Sequence, residues 1–190
     1  GMAFGIKRHR AGEDVALGFD LILLGCGKIG RALAELVRVR RAHIKERFGL
    51  DARIVAVADR TGFLFRPAGL PNEELAEILE SKSGGAKLAA RSGAVSGADS
   101  LAMVRHVLSY RLARPVLIDV TDGEDTLPAI LEALHLGCDV VSANKKPLAS
   151  SLAQFRALVD GAKAEGRLLK AEATVGAGLP VVDTLEMLLA

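Results

Sequence analysis

The chain alternates short apolar runs with longer segments whose apolar residues recur at helical spacing. Residues 19–24 form such a run and are followed at once by glycines, a pattern typical of a strand buried in a parallel sheet. From residue 28 to about residue 48 the apolar side chains fall near helical spacing, and Gly49 supplies a stop. We therefore predict a first strand that leads directly into a long first helix.

Further short β-rich runs predict strands at residues 53–58, 115–120, 139–142 and 167–171. Helical patterns separate them. Asn72 is predicted to cap one helix, and Ser150 or Ser151 to cap another that runs through Ala164. Residues 81–100 are rich in Gly, Ser and Ala and are interpreted as loop and short helix, and Pro180 begins a last apolar run. The alternation of strands and helices predicts an α/β fold with a parallel sheet.

Composition and charge narrow the class of protein. The 190 residues are 50% hydrophobic and 25% charged, which favours a packed core over disorder. The net charge is +2, and the basic residues are dispersed, so no nucleic-acid partner is predicted. One dense basic cluster has helical spacing and is interpreted as a solvated helix face, with an anion or partner patch as the alternative; it comprises Arg38, Arg40, Arg41 and Lys45.

The two cysteines and the longest apolar runs bear on the compartment. Cys26 and Cys138 stand in neither metal-ligand nor redox spacing, as expected of free thiols in a reducing cytoplasm. No apolar run approaches the roughly 18 residues of a membrane-spanning helix. A cytoplasmic protein without membrane association is therefore expected.

A glycine-rich turn joins the first predicted strand to the first predicted helix. Its sequence, Gly25-Cys26-Gly27-Lys28-Ile29-Gly30, has the spacing and the strand-to-helix context of a dinucleotide-binding turn. Gly25 would make the tight turn, Gly27 would let the backbone approach a pyrophosphate, and Gly30 would permit close packing of helix and strand. The helix N-terminus, beginning at Lys28 and Ile29, would supply amide donors. The motif predicts a Rossmann-type, doubly wound sheet that binds NAD(P), and a purely structural glycine turn is the alternative.

A mononucleotide P-loop is excluded by the same residues. Lys28 is followed by Ile29 rather than by Ser or Thr, and Ile22 stands where the first glycine of that motif should be. The turn is therefore not interpreted as an NTPase site.

The acid that would bind the ribose should end the second strand, where Asp59 stands. Asp59 lies 29 residues beyond Gly30 (59 minus 30), later than the usual ~20, and a long first helix explains the delay. Asp59 would accept hydrogen bonds from the ribose of NAD, whereas Arg60 would pair with the 2′-phosphate of NADP. The choice between the two nucleotides stays open, as does an ordinary turn at this position.

Three further segments, together with the glycine turn, resemble homoserine dehydrogenases in order and spacing. They are residues 119–124 (Asp-Val-Thr-Asp-Gly-Glu), 140–149 (Val-Val-Ser-Ala-Asn-Lys-Lys-Pro-Leu-Ala) and 172–181 (Glu-Ala-Thr-Val-Gly-Ala-Gly-Leu-Pro-Val). The resemblance runs from about Phe19 to the last residue. It implies reversible hydride transfer between NAD(P)H and L-aspartate 4-semialdehyde, which gives L-homoserine on the route to threonine, methionine and isoleucine.

The resemblance also implies roles for single residues. Lys145 matches the lysine that handles the proton on the substrate oxygen or polarises the carbonyl, and it would lie at the cofactor. Lys146 is the adjacent competitor, and two exposed loop lysines are the alternative. Thr121 matches a position along the nicotinamide half of the cofactor, and Ser142 and Asn144 are candidates for the carboxamide or the substrate. Ser, Thr and Asn at strand ends are also common caps and turns.

Glu172 matches a family glutamate that binds a monovalent cation, usually sodium, beside the active site. The resemblance adds the backbone carbonyls of Val175, Ala177 and Leu179 as the other ligands. Oxygen ligands of this kind suit an alkali or alkaline-earth ion rather than zinc. A helix-capping or salt-bridging glutamate is the alternative.

The resemblance divides the chain into an N-terminal tail (residues 1–18), an NAD(P)-binding domain (19–176), and a hinge with the start of a substrate and dimerisation domain (177–190). It implies a homodimer whose substrate site needs residues beyond these 190, so this chain alone is expected to bind dinucleotide without oxidising homoserine. Two alternatives stay open. One is another amino-acid dehydrogenase of the aspartate dehydrogenase or dihydrodipicolinate reductase type, and the other is a non-catalytic dinucleotide-binding module.

Overall fold

The computed structural model describes residues 16–146 and 151–171. Within these ranges the elements, in chain order, are β1 Leu17–Leu24, α1 Lys28–Phe48, β2 Leu50–Asp59, β3 Gly62–Phe65, α2 Asn72–Ser83, the 3-10 helix Leu88–Ala90, β4 Ala94–Ser96, α3 Ser100–Leu108, β5 Pro115–Asp119, α4 Leu127–His135, β6 Asp139–Ser142, α5 Leu152–Ala164 and β7 Leu169–Ala171. No helix in this part of the chain combines the length and the apolar character that a membrane span requires.

The strands form one sheet in the order β4-β3-β2-β1-β5-β6-β7. Five adjacent strands, β2, β1, β5, β6 and β7, pair with one another in parallel, which confirms the predicted doubly wound fold. The sheet departs from the prediction at β3 and β4, which are antiparallel and were not expected. They arise because the chain reverses after β2 at Gly62, whose φ of 151° and close approach to the Val95 carbonyl exclude a side chain.

Helices cover both faces of the sheet, and β1 is buried between them. Leu21 and Leu23 of β1 pack in the cluster that includes α1 and α2, while Ile22 and Leu24 pack in the cluster of α3, α4 and α5. Because both faces of β1 are covered, the strand needs a nearly continuous apolar run, which only Asp20 interrupts in residues 19–24. The apolar run and the glycines that follow it were therefore enough to predict this strand.

Helix α1 spans 21 residues and ends at Gly49, which adopts a left-handed φ of 68° and donates its amide to the Lys45 carbonyl. Its length accounts for the wide spacing between Gly30 and Asp59. At α2 the prediction was off by one residue, since Pro71 holds the cap position and Asn72 is already helical. Ser151 caps α5 by accepting the Gln154 amide, as one of the two predicted caps.

A buried carboxylate fixes the amino-terminal end of the parallel sheet. Asp20 in β1 is 1% exposed and accepts hydrogen bonds from Arg53 of β2 (Nη2 to Oδ1, 2.7 Å) and from the Ala113 amide (2.7 Å) ahead of β5. A buried charge with such partners is stabilised where an unpaired one would not be. Asp20 therefore ties β1 to the strands on both of its sides.

Candidate functional site

The carboxyl ends of β2, β1 and β5 open into a cleft of about 890 Å³. After β1 the chain passes to α1 on one face of the sheet, and after β5 it passes to α4 on the other face, so a crevice lies between the two strand ends. Such a switch point is where open α/β sheets bind their ligands. The cleft walls come from the segments that follow these strands and from the region after α2, namely residues 24–29, 58–61, 85–87, 97–100 and 120–123.

The three glycines of the turn have three different surroundings. Gly25 has a φ of 107°, and a Cβ there would lie 3.0 Å from the Thr121 Cγ2. A Cβ on Gly30 would lie 2.0 Å from the Gly25 carbonyl oxygen, so helix and turn could not pack as they do. A Cβ on Gly27 would meet no atom within 4 Å and would project into open space. Gly27 is thus the glycine whose absent side chain leaves room for a ligand.

The start of α1 offers donors to that space. Gly27 is the N-cap residue, and its position carries no side-chain cap. The first amides of a helix have no partner within the helix, and its dipole favours a negative charge there. The open backbone at Gly27 and the uncapped amides at Lys28 and Ile29 fit a pyrophosphate.

Neither cysteine contributes a reactive thiol. Cys26 in the turn is 3% exposed, and burial raises the pKa of its thiol to about 11. Burial also raises the pKa of Cys138 well above its ordinary value. Both side chains are therefore neutral near pH 7 and act as packing groups.

Asp59 ends β2 as predicted, but both of its oxygens are already engaged. Oδ1 accepts the Thr61 amide (2.8 Å) and the Thr61 hydroxyl (2.6 Å), and Oδ2 accepts Lys82 Nζ and the Leu88 amide (3.0 Å). Burial opposes ionisation of this carboxyl, but the bonds from Lys82, Thr61 and Leu88 outweigh it and lower the pKa to about 2. Asp59 is therefore an ionised residue with its acceptor sites filled from within the chain.

Two cations accompany Asp59 at what we call the ribose corner, made of Asp59, Arg60 and Lys82. Arg60 is exposed and lines the cleft, and Lys82 also donates to the Ala86 carbonyl at 2.8 Å. Sequence reasoning missed Lys82, because it lies 23 residues beyond Asp59 (82 minus 59) in the last turn of α2 and belongs to no motif. The role of Asp59 and Arg60 in nucleotide binding stays a prediction.

Asp119, at the end of β5, repeats the geometry of Asp59. Its Oδ1 accepts both the amide (3.0 Å) and the hydroxyl (2.7 Å) of Thr121, as Asp59 accepts those of Thr61. The shared sequence Asp-x-Thr was a signal for this turn, in which a carboxylate bonds the backbone two residues on. The turn brings Thr121 to the cleft wall beside Gly25, and its contact with the nicotinamide half of the cofactor stays a prediction.

Ser142 and Asn144 lie behind the cleft wall rather than on it. They are 1% and 3% exposed, and the Ser142 hydroxyl and the Asn144 backbone bond each other. The Asn144 side-chain amide donates to the Gly123 carbonyl at 2.7 Å. Their predicted contacts with a carboxamide or substrate stay predictions, and the structure gives both side chains internal partners.

Lys145 and Lys146 follow directly and are exposed. Lys146 Nζ lies 3.8 Å from the Glu124 carboxylate. The predicted cation ligands Glu172, Val175, Ala177 and Leu179 lie outside the described residues, as does the proposed hinge. Among residues 16–146 and 151–171, no group of three or more His, Cys, Asp or Glu side chains is placed to hold a metal ion.

A parallel sheet whose switch point carries an uncapped glycine turn defines a dinucleotide-binding domain of the Rossmann type. The family described as "Homoserine dehydrogenase, NAD binding domain" matches residues 25–172. The chain therefore belongs to the homoserine dehydrogenase family through its NAD-binding domain, which confirms the resemblance seen in the sequence.

Individual relatives agree with this assignment. The chain is 30% identical over 173 residues to an NAD(+)-dependent homoserine dehydrogenase of Pseudomonas canavaninivorans, covering 90% of this chain and 47% of that protein. It is 28% identical over 171 residues to the bifunctional aspartokinase/homoserine dehydrogenase of Haemophilus influenzae, covering 90% of this chain and 19% of that protein.

A solved structure of a hyperthermophilic archaeal homoserine dehydrogenase in complex with NADPH matches with a TM-score of 0.67 and 26% identity. The match covers 88% of this chain and 48% of that one. The chain thus spans about half or less of the length of these relatives.

The engaged state of Asp59 predicts an acid-sensitive contribution to stability. Its pKa in the folded chain lies below the ordinary 3.8, so ionised Asp59 stabilises the fold above about pH 4, and this contribution is lost as the pH falls toward 2. The melting temperature of Asp59→Asn should therefore lie furthest below that of the wild type near neutral pH, with the gap closing toward pH 2.

Melting curves between pH 2 and pH 7 measure that gap, with Glu46→Gln on the exposed face of α1 as the control. A gap between Asp59→Asn and the wild type that stays constant over this range would contradict the assignment.

Proposed function

We propose that the protein containing this chain catalyses the reversible NAD(P)-linked reduction of L-aspartate 4-semialdehyde to L-homoserine. The observation that carries the proposal is the match of the homoserine dehydrogenase NAD-binding family to residues 25–172, which includes the glycine turn and Lys145. The relatives named for this activity support it. The step would serve threonine, methionine and isoleucine biosynthesis in the cytoplasm, in a homodimer.

Dinucleotide binding rests on the turn. The pyrophosphate would lie over Gly27, where even an added Cβ would have no atom within 4 Å, and would accept bonds from the first amides of α1. Gly25 and Gly30 keep turn and helix close enough for this. When bound, NAD(P) supplies the hydride chemistry, and the protein must hold it beside the substrate and handle the proton.

The ribose corner favours NADP(H) over NAD(H). Asp59 already accepts four hydrogen bonds, so a ribose 2′-hydroxyl finds its acceptor sites filled. Lys82 uses two of its three N–H donors within the chain and keeps one. With Arg60 on the cleft wall, the corner carries two positive charges against one negative charge. A 2′-phosphate suits this balance of charge.

Lys145 is proposed to manage the proton on the substrate oxygen. Reduction of the aldehyde turns a carbonyl oxygen into a hydroxyl, which needs a proton donor within reach. Lys145 follows β6, whose end lies next to the end of β5 and therefore on the cleft side of the sheet. The residues proposed to bind sodium, Glu172 with the carbonyls of Val175, Ala177 and Leu179, would lie further along the chain.

The turn can be tested by two alanine substitutions, one expected to affect dinucleotide binding and the other expected to affect stability. Gly27→Ala should leave stability within about 1 kcal/mol of the wild type, because its Cβ meets nothing. It should nevertheless weaken dinucleotide binding by roughly tenfold or more, since the methyl group occupies the approach to the pyrophosphate. Gly30→Ala should destabilise the fold by roughly 3 kcal/mol, because its Cβ collides with the Gly25 carbonyl. Fluorescence titration with NADPH and urea unfolding measure the two effects, and unchanged affinity in Gly27→Ala would exclude this binding mode.

Nucleotide preference should depend on Lys82. Lys82→Met should weaken NADPH binding by about tenfold, the value of one charge-assisted hydrogen bond. It should also strengthen NADH binding, because Asp59 Oδ2 then has one acceptor site open to a ribose hydroxyl, while the bonds from Thr61 and Leu88 remain. Arg60→Met is the matched comparison: it also removes a cation and should weaken NADPH binding, but it leaves Asp59 engaged and should leave NADH binding unchanged. Titrations with both nucleotides give the comparison, and an equal change for NADH and NADPH in Lys82→Met would refute the proposed preference.

Catalysis should depend on Lys145. In the complete protein that contains this chain, Lys145→Ala should lower kcat for homoserine oxidation by about 10²- to 10⁴-fold, the usual contribution of a proton-transfer group. The dissociation constant for the dinucleotide should stay within a few-fold. Lys146→Ala is the control at the adjacent position. A chain that binds dinucleotide but whose turnover is indifferent to Lys145 would favour a non-catalytic dinucleotide-binding module.

A further inference from the structure

Asn144, directly ahead of Lys145, is the one buried side-chain amide in the part of the chain that the structure describes, and its NH₂ group has four acceptors around it. It is 3% exposed. Its Nδ2 lies 2.7 Å from the Gly123 carbonyl, 3.0 Å from Thr121 Oγ1, 3.3 Å from Thr126 Oγ1 and 3.4 Å from Asp119 Oδ2. All four partners belong to the segment from the end of β5 to the start of α4. The amide therefore joins the end of β6 to the loop that forms one wall of the cleft.

The orientation of this amide is determined by its partners. Thr121 Oγ1 donates to Asp119 Oδ1 and Thr126 Oγ1 donates to Asp119 Oδ2, so both hydroxyls present lone pairs to Asn144. The Asn144 Oδ1 accepts the Lys146 amide at 3.2 Å. A flipped amide would place its NH₂ against the Lys146 N–H and its oxygen against the Gly123 carbonyl, and both contacts are repulsive.

The bond from Lys146 to Asn144 closes a turn whose middle residue is Lys145. An Asn side chain that accepts the amide two residues on holds the peptide groups between them. One end of Asn144 thus fixes the backbone that carries Lys145, and the other end fixes Thr121 and Gly123 on the cleft wall. The two segments are 21 residues apart in sequence (144 minus 123) and are held in one geometry by a single side chain.

We propose that Asn144 is a positioning residue: its amide sets the backbone of Lys145 relative to the Thr121–Gly123 wall of the cleft, and it acts on the reaction through Lys145 rather than by touching substrate. This inference rests on the proposed function of Lys145. It replaces a direct contact of Asn144 with cofactor or substrate, because each polar atom of the side chain already has a partner within the chain.

The test is a double-mutant cycle in the complete protein that contains this chain. Asn144→Ala should lower kcat for homoserine oxidation by about 10- to 100-fold, the cost of displacing a reacting group by about 1 Å. The dissociation constant for NADPH should change less than threefold, about the limit for a site whose contacts are retained. Because Asn144 acts through Lys145, the double variant Asn144→Ala/Lys145→Ala should be no slower than Lys145→Ala alone.

Val104→Ala in the core of α3 is the stability control. It should lower the melting temperature without changing kcat, which separates positioning from a general loss of stability. If Asn144→Ala fails to fold, Thr126→Val and Thr126→Ser replace it. Valine removes the hydroxyl that joins Asp119 to Asn144 and should lower kcat, whereas serine keeps the hydroxyl and should restore it.

The outcomes separate this inference from the function on which it rests. Homoserine oxidation that is absent in the wild type, or unaffected in Lys145→Ala, overturns the proposed function. With Lys145 essential, losses of kcat that multiply in the double variant overturn the positioning role alone, because they show that Asn144 acts independently of Lys145. A loss of NADPH affinity that matches the loss of kcat overturns it as well and returns Asn144 to direct cofactor contact.

Discussion

The two-sided parallel pairing of β1 determines where the glycine turn, Asp59 and Thr121 lie relative to one another. The last residue of β1, Leu24, bonds the Val120 amide after β5 through its carbonyl, and the next amide, that of Gly25, bonds the Ala58 carbonyl of β2. Three strand ends are thereby held at one level. The chain passes from β1 to α1 on one face of the sheet and from β5 to α4 on the other face. The crevice between the strand ends is therefore left uncovered, and the glycine turn lies at its centre. Asp20 holds the same three segments together at the opposite end.

Sequence patterns predicted the parallel part of the sheet because its constraints are local. A strand covered on both faces needs a nearly continuous apolar run, and the spacing of Gly25, Gly27 and Gly30 reflects turn geometry within six residues. The antiparallel strands β3 and β4 were missed, since their pairing depends on contacts between Gly62 and Val95, 33 residues apart (95 minus 62). The residues next to Gly62 in the sequence do not predict that contact.

The same distinction applies to the candidate site. The positions of Asp59 and Thr121 at strand ends followed from the sequence, but their partners did not. Asp59 and Asp119 flank β1 in matching Asp-x-Thr turns, and each is completed by a distant group, Lys82 in one case and Asn144 in the other. Long-range partners decide whether a carboxylate is free to bind a ligand or is already in use. The sequence predicted that these acids lie at strand ends, but it could not show that other groups of the chain already donate hydrogen bonds to their carboxylates.

The antiparallel strands β3 and β4, which extend the sheet beyond β2, also affect how two copies of the molecule can associate. An edge strand with a long row of unpaired backbone groups is a template for pairing with a second chain, and short edge strands are one protection against aggregation. β4 has only three residues, and the chain turns away from it at Gly97, whose amide bonds back to Thr61. A sheet that ends in so short a strand offers little length for intermolecular β-pairing on that side, which favours colloidal stability at high protein concentration.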